Sequence, residues 1–182
     1  MAVSDSPITI RPVAEGDYQA LADFFAANDR AEVTGTFNPF PLTAETAHQI
    51  ARVPKQDRYY VAATSAAEPE GAIVGLCMLR GWDEGYAVPS FGVFVDWRQH
   101  GRGLGRRLTE FAVAEANALN CSRVRLTVFA SNAPAVHLYR SIGFEETGRE
   151  AVEHGDGGAP DEKIIMYKNF GVEAGDAAAA EK

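Results

Sequence analysis

The sequence predicts one α+β domain, a mixed α/β arrangement in which strands and helices share a single core. Three observations carry this. Seven short runs have strand character, four segments repeat apolar residues at helical spacing, and the two kinds interleave from Ile8 to Phe170. The 182 residues, 46% apolar and 23% charged, are enough to bury one core, so residues 1–170 are expected to form a single domain.

ITIRPV (residues 8–13) reads as the first strand, and EGDYQALADFFAAND sets Tyr18, Leu21, Phe24 and Phe25 at the spacing of a helix with one buried face. TGTFNPFPL (34–42) carries Gly, Asn and Pro and reads as a loop. Thr43 is placed to cap a short helix, AETAHQIARV, which Pro54 ends. RYYVAATS and AIVGLCMLR, joined by the turn AAEPEG, read as adjacent antiparallel strands, and SFGVFVD follows the polar loop GWDEGYAVP.

LGRRLTEFAVAEANAL places Leu104, Leu108, Phe111, Ala112, Ala116 and Leu119 in one helical stripe, with Glu115 reaching out at its edge. RVRLTVFA alternates polar with apolar and is a strand. SNAPAVHLYRSIG then puts Ala135, Leu138, Tyr139 and Ile142 on one helical face, with Pro134 in the first turn and Gly143 as the stop. FEETGRE and EKIIMYKNF close the sheet around the loop HGDGGAPD. Residues 171–182 have too little apolar bulk to pack and are expected to be a disordered tail.

Twenty-five acidic against 17 basic residues give a formal charge of -8, which argues against nonspecific binding to nucleic acid or to an anionic membrane. The start has neither a basic nor an apolar leader region and no apolar run approaches the ~18 residues of a membrane span, so the expected compartment is the cytoplasm. Cys77 and Cys121 lie apart without a CxxC pattern and read as small residues of a strand and a loop. No two histidines have ligand spacing, so no metal site is expected.

Local charge opposes the global sign in WRQHGRGLGRRLTEF. Gly101, Gly103 and Gly105 alternate there, and Arg98, Arg102, Arg106 and Arg107 cluster with no acid between Trp97 and Thr109. Strand, glycine loop and helix N-terminus together form an anion-binding arrangement, in which free amides converge and the helix dipole favours negative charge. The dinucleotide pattern GxGxxG would need glycine where Arg106 stands, and the GxxxxGK[ST] loop is missing, so a diphosphate ester held by another loop type is the natural guest.

One strand later comes NAPAVHLYRSIGF. Together the two segments resemble the GNAT superfamily of N-acetyltransferases, whose cofactor loop follows Gln/Arg-x-x-Gly-x-Gly/Ala and whose next helix follows Asn-x-x-Ala-x-x-Leu-Tyr-x-x-x-Gly-Phe. Asn132, Ala135, Leu138, Tyr139, Gly143 and Phe144 match the second pattern in full; Gly103 and Gly105 match the first, with His100 in its leading position.

The resemblance implies a GNAT-type mixed sheet of about seven strands flanked by helices on both faces, splayed open after the strand ending at Val95, with acetyl-coenzyme A in the split. It implies that backbone groups of Val93, Phe94 and Val95 face the pantetheine and thioester, and that the amides of Gly101, Arg102, Gly103, Leu104, Gly105 and Arg106 hold the pyrophosphate. His100 is expected to contact a phosphate. Asn132 is expected to contact the cofactor and to cap its helix. Tyr139 matches the general acid that returns a proton to the sulfur, with acetyl transferred directly to a primary amine.

Some members that acetylate protein N-termini carry glutamate where this chain has Thr127, which disfavours that subtype. The candidate base is then Glu84, in the loop with Trp82, Asp83 and Tyr86; Asp96 reads as a loop cap. The acceptor is expected to be a small-molecule or peptide amine, and the net acidic surface slightly favours a cationic one. FNPFPLTAETA is expected to roof its pocket. The family often dimerises, which leaves a homodimer open. The competing reading is a noncatalytic acyl-coenzyme A sensor or partner-binding module on the same fold; a nucleotide-binding regulator fits less well.

Overall fold

A computed structural model describes residues 7–30, 33, 39–52, 56–65, 71–152 and 161–171. Pro54, most of the AAEPEG turn, residues 34–38 of the expected TGTFNPFPL loop (37 and 38 also belonging to the expected roof), most of the HGDGGAPD loop and the expected tail from 172 lie outside the described residues.

In chain order the elements are β1 (Ile8–Pro12), α1 (Tyr18–Asn28), α2 (Ala44–Ala51), β2 (Arg58–Thr64), β3 (Ile73–Arg80), β4 (Ser90–Val95), α3 (Leu104–Ala118), β5 (Arg123–Phe129), α4 (Ala133–Ser141), β6 (Glu145–Val152) and β7 (Asp161–Asn169). Among the described residues these are the seven strands and four helices expected. They make one sheet in the order β1-β2-β3-β4-β5-β7-β6. Every neighbouring pair is antiparallel except β4 and β5.

Helices cover both faces. On one face Leu21, Phe24, Phe25, Ala47 and Ile50 of α1 and α2 pack on Val61, Ile73, Leu76 and Phe94. On the other, Leu104, Leu108, Ala112 and Ala116 of α3 and Val136 and Tyr139 of α4 pack on Cys77, Leu79, Phe91, Leu126 and Met166. This explains why β3 is an unbroken apolar run, buried at seven of its eight positions, while β5 alternates. Thr43 caps α2 as expected, accepting from the Thr46 amide at 3.1 Å. Among the described residues no helix is long and apolar enough to cross a membrane.

Three expectations about buried faces are corrected. Leu119 lies beyond the end of α3 and is 42% exposed, while Thr109 takes a place in the buried stripe by donating to the Gly105 carbonyl at 2.7 Å. Tyr18 stands at the start of α1, 38% exposed, against His48. Glu115 is half-buried and turned to a protein partner: it accepts from the Tyr60 hydroxyl at 2.9 Å, and burial together with Glu115 raises the Tyr60 pKa.

The seam between the sheet halves positions the site. β3 pairs with β4 from Arg80↔Ser90 to Gly75↔Val95, and β5 pairs with β7 from Arg123↔Asn169 to Phe129↔Lys163. Between β4 and β5 the only register partners are Ser90↔Arg125, next to a bond from the Arg125 amide to the Pro89 carbonyl at 3.0 Å. The sheet therefore splays from Phe91 onward, so the opening runs along β4 itself and begins earlier than the strand end at Val95.

Candidate active site

The seam opens into a cleft of about 1250 Å³. Its walls are β4 from Ser90 to Val95, β5 from Arg125 to Phe129, the glycine loop with the start of α3, and the face of α4 that carries Asn132, Ala135, Leu138 and Tyr139. Ala135 and Leu138 are only half-buried although they belong to the expected apolar face, because that face looks into the cleft.

At the loop end the chain leaves β4 and turns sharply. Asp96 caps that turn, as expected: it accepts from the Arg98 amide at 2.8 Å and from the Arg98 guanidinium at 3.0 and 2.9 Å. Burial pushes the Asp96 carboxyl up, but the contacts from Arg98 and Asn28 outweigh it and the net pKa is lowered. The buried Asn28 ties the turn to α1, accepting from the Trp97 amide at 3.1 Å and donating to the Phe24 carbonyl at 2.8 Å.

Gly103 is the N-cap of α3, with φ at +77°, a left-handed conformation that glycine adopts without strain. The amides of Gly101 to Arg106 find no acceptor among the described residues, which is the orphan set expected where a helix begins. A Cβ at Gly101 or Gly103 would meet nothing within 4 Å, so the space above these two glycines is open. Free amides, a helix N-terminus and open space fit the diphosphate of coenzyme A.

The arginines behave differently from the amides. Arg98 is held by Asp96, Arg106 reaches Ser141 at 2.8 Å and Glu110 at 3.4 Å, and Arg107 donates to the Ile8 carbonyl at 3.0 Å. Arg102 is exposed, and neither Arg102 nor Arg106 lines the cleft. His100 does line it; its Nε2 lies 3.1 Å from the Val95 carbonyl, which can only accept, so Nε2 carries the hydrogen and Nδ1 is left for another partner.

On α4, Asn132 accepts from the Ala135 amide at 3.3 Å and so caps the helix while lining the cleft. Gly143 ends the helix region with φ at +92°, which turns the chain so that Phe144 packs against Tyr139 at 5.8 Å. Phe91 meets Tyr139 edge-on at 5.9 Å from the other wall. The Tyr139 ring is thereby fixed, burial raises its pKa so that the hydroxyl stays protonated, and that hydroxyl bonds to no described residue.

The other end of the cleft is built on Asp57. This carboxylate is buried just before β2, and its Oδ1 accepts from the amides of Gly81 at 2.9 Å, Trp82 at 2.9 Å and Asp83 at 3.2 Å. Asp83 answers by accepting from the Gln56 amide at 2.9 Å. The turn so held presents Glu84 and Tyr86 to the cleft, while Trp82 packs on the core. Arg80 lies beside it: it reaches Glu84 at 3.5 Å, the Pro39 carbonyl at 3.3 Å and Asp57 at 3.9 Å, and its buried Nε has no hydrogen-bond partner.

A model of the acetyltransferase (GNAT) family matches residues 22–144, a stretch that holds the seam, the glycine loop and the Asn132–Phe144 segment. The chain belongs to the GNAT family. It is similar to the L-amino acid N-acetyltransferase AaaT of Escherichia coli, 40% identical over 62 residues that cover 34% of this chain and 38% of that protein. It is also similar to the spermine/spermidine N(1)-acetyltransferase of Bacillus subtilis, 34% identical over 56 residues that cover 30% of this chain and 37% of that protein. These matches span well under half the length of either relative. The solved acetyltransferase of the GNAT family from Streptococcus pneumoniae has the same fold, with a TM-score of 0.75, 22% identity, and coverage of 91% of this chain and 100% of that one.

Within this GNAT domain the structure gathers Val93, Phe94, Val95, His100, Gly101, Gly103, Leu104, Gly105, Asn132, Tyr139 and Glu84 around one cleft, and leaves Arg102 and Arg106 at its rim. Sequence reading missed Arg80, Arg125, Thr127 and Lys163 as cleft lining, and Asp57 behind the turn that carries Glu84. Asp57 had no local signal, since the three amides it holds lie more than twenty residues away. Arg125 and Thr127 had one: they occupy the polar positions of an alternating strand and therefore share a face.

Among the described residues no three His, Cys, Asp or Glu side chains gather as metal ligands. Cys77 is buried, and burial, with Glu115 adding to it, pushes its thiol up to about 12, which removes it as a nucleophile near neutral pH.

Proposed function

We propose that this chain transfers the acetyl group of acetyl-coenzyme A directly to a primary amine. The observation that carries the reading is the pairing of two features in one cleft: a run of amides at a helix N-terminus, and a buried tyrosine whose hydroxyl, like those amides, bonds to no described residue.

The thioester supplies an acyl carbon open to attack. The amides of Gly101, Arg102, Gly103, Leu104, Gly105 and Arg106 hold the diphosphate, with His100 Nδ1 beside it. Backbone groups of Val93, Phe94 and Val95 take the pantetheine arm along the β5-facing edge of β4, where strand pairing stops at Ser90, as an added strand would be taken. Asn132 contacts the same arm from α4 while keeping its cap.

The amine must attack neutral. Glu84, on the Asp57-held turn, accepts the proton it gives up. As the new N–C bond forms and the C–S bond breaks, Tyr139 donates its proton to the departing sulfur. Its raised pKa keeps the hydroxyl protonated across the working range, so the proton is in place when the sulfur departs.

The test is thiol release from acetyl-coenzyme A with a panel of amines, comparing the wild type with Tyr139→Phe. The phenylalanine variant should keep its acetyl-coenzyme A affinity within about twofold and lose about 100-fold in kcat. Full turnover in the variant would remove Tyr139 from the mechanism. Tight binding without thiol release from any amine would make the protein a sensor of acyl-coenzyme A.

A further inference from the structure

Charge is distributed unevenly around the cleft. At the turn end Arg80 is balanced by Glu84 and Asp57. The opposite wall has no such balance. Arg125 and Lys163 both line it, both are half-buried, and neither forms an ion pair or a side-chain hydrogen bond with a described residue. Lys163 only rests its ammonium 5.4 Å above the Phe129 ring. Glu150 stands opposite Lys163 in register, without an ion pair between them. Among the described residues the one acid lining the cleft is Glu84, which Arg80 already holds.

Register places the two cations on one face. Arg125 is opposite Tyr167, Thr127 opposite Ile165, and Phe129 opposite Lys163, while Leu126 and Met166 fill the core behind them. Arg125 sits where the seam closes, beside Ser90, at the far end of β4 from the glycine loop. Ser90 to Val95 spans about 17 Å at strand rise, so an anion at Arg125 is separate from a diphosphate at the loop.

A cation half-removed from water without a counter-ion is unfavourable, and a guanidinium fork suits a carboxylate in two parallel hydrogen bonds. We propose that Arg125 binds a carboxylate carried by the acceptor, so that the acceptor is an amino-acid-type molecule. Lys163, opposite Phe129, adds positive charge to the same wall four residues farther along β5. Met78, opposite Gly92, and Tyr86 on the turn give the lining near this end an apolar part, which suits an acceptor with an apolar side chain. The local sign thus points away from the cationic acceptor that the net charge of -8 favours. The proposal rests on the transferase reading above.

The experiment compares L-phenylalanine, L-phenylalaninamide, phenethylamine and spermidine as acceptors in the thiol-release assay. In the wild type, kcat/KM for phenylalanine should exceed that for its amide at least tenfold. Arg125→Gln should bring this ratio close to one through a raised phenylalanine KM, with the KM for acetyl-coenzyme A unchanged, and Arg125→Lys should restore part of it. The wild-type comparison needs no variant to fold.

Thiol release with the amide or spermidine but not with phenylalanine overturns this proposal alone, as does a ratio that Arg125→Gln leaves unchanged. Tight acetyl-coenzyme A binding with no release from any of the four amines overturns the transferase reading and this proposal with it.

Discussion

The two ends of the cleft are made of different material. At the loop end the wall is main chain: amides of Gly101 to Arg106, shaped by the positive φ of Gly101 and Gly103, with most of the nearby arginines turned to protein partners. At the closed end it is side chains drawn from separate strands and turns: Arg80, Glu84, Tyr86 and Arg125, with Asp57 holding the turn from behind. A site built from contiguous backbone is fixed by a short motif and serves a common ligand. A site built from scattered side chains can change one residue at a time, which suits the part that selects among acceptors.

This contrast can be broken at either end, and the largest effect is expected at the loop. Gly103→Glu puts a side chain on a left-handed backbone, into open space facing the anion site, and adds a negative charge there. Acetyl-coenzyme A affinity should fall at least 100-fold by calorimetry while the unfolding midpoint changes little. Normal affinity would show that the loop is not the cradle.

At the turn end, Asp57→Ala leaves three amides without their acceptor and Arg80 without one of its acids. Stability should drop by about 1–3 kcal/mol in denaturant unfolding, and the amine KM should rise while acetyl-coenzyme A affinity holds. An equal loss of both affinities would mean that the two ends are not separable.

The smallest effect is in the response to acid. The Asp96 pKa is lowered in the folded protein, so its contribution is fully present above the ordinary value of 3.8 and is lost as pH falls below that toward the folded pKa. Asp96→Asn should flatten the stability curve in that window by about 1 kcal/mol or less, since Arg98 is more than half exposed. An unchanged curve would assign the acid response to other pairs, such as Arg11 with the buried Asp17, which meet at 2.6 Å.

The same contrast explains what could be read before the structure. Strand and helix periods placed all seven strands and four helices, since β3 is buried on both faces and β5 on one. Asn132, Tyr139 and the glycine loop were legible because their geometry comes from neighbours in the chain: a cap, a helical face, a left-handed turn. Glu115 was misjudged because its partner, Tyr60, sits on a distant strand. Arg125 stayed hidden because its meaning lies in the lack of a described partner on a wall that exists only where β4 and β5 part. Arg102 and Arg106 drew attention by composition, yet neither lines the cleft, which Gly101, Gly103, Leu104 and Gly105 do.

The central claim is that the seam is a coenzyme A site held by backbone at its open end. Calorimetric titration of the protein with acetyl-coenzyme A, coenzyme A and ATP tests it most directly. Binding of both coenzyme A forms with similar affinity, and of ATP at least tenfold more weakly, is the predicted result, because pantetheine along β4 contributes alongside the phosphates at the loop. ATP binding as tight as that of coenzyme A, or no binding of either coenzyme A form, would contradict it.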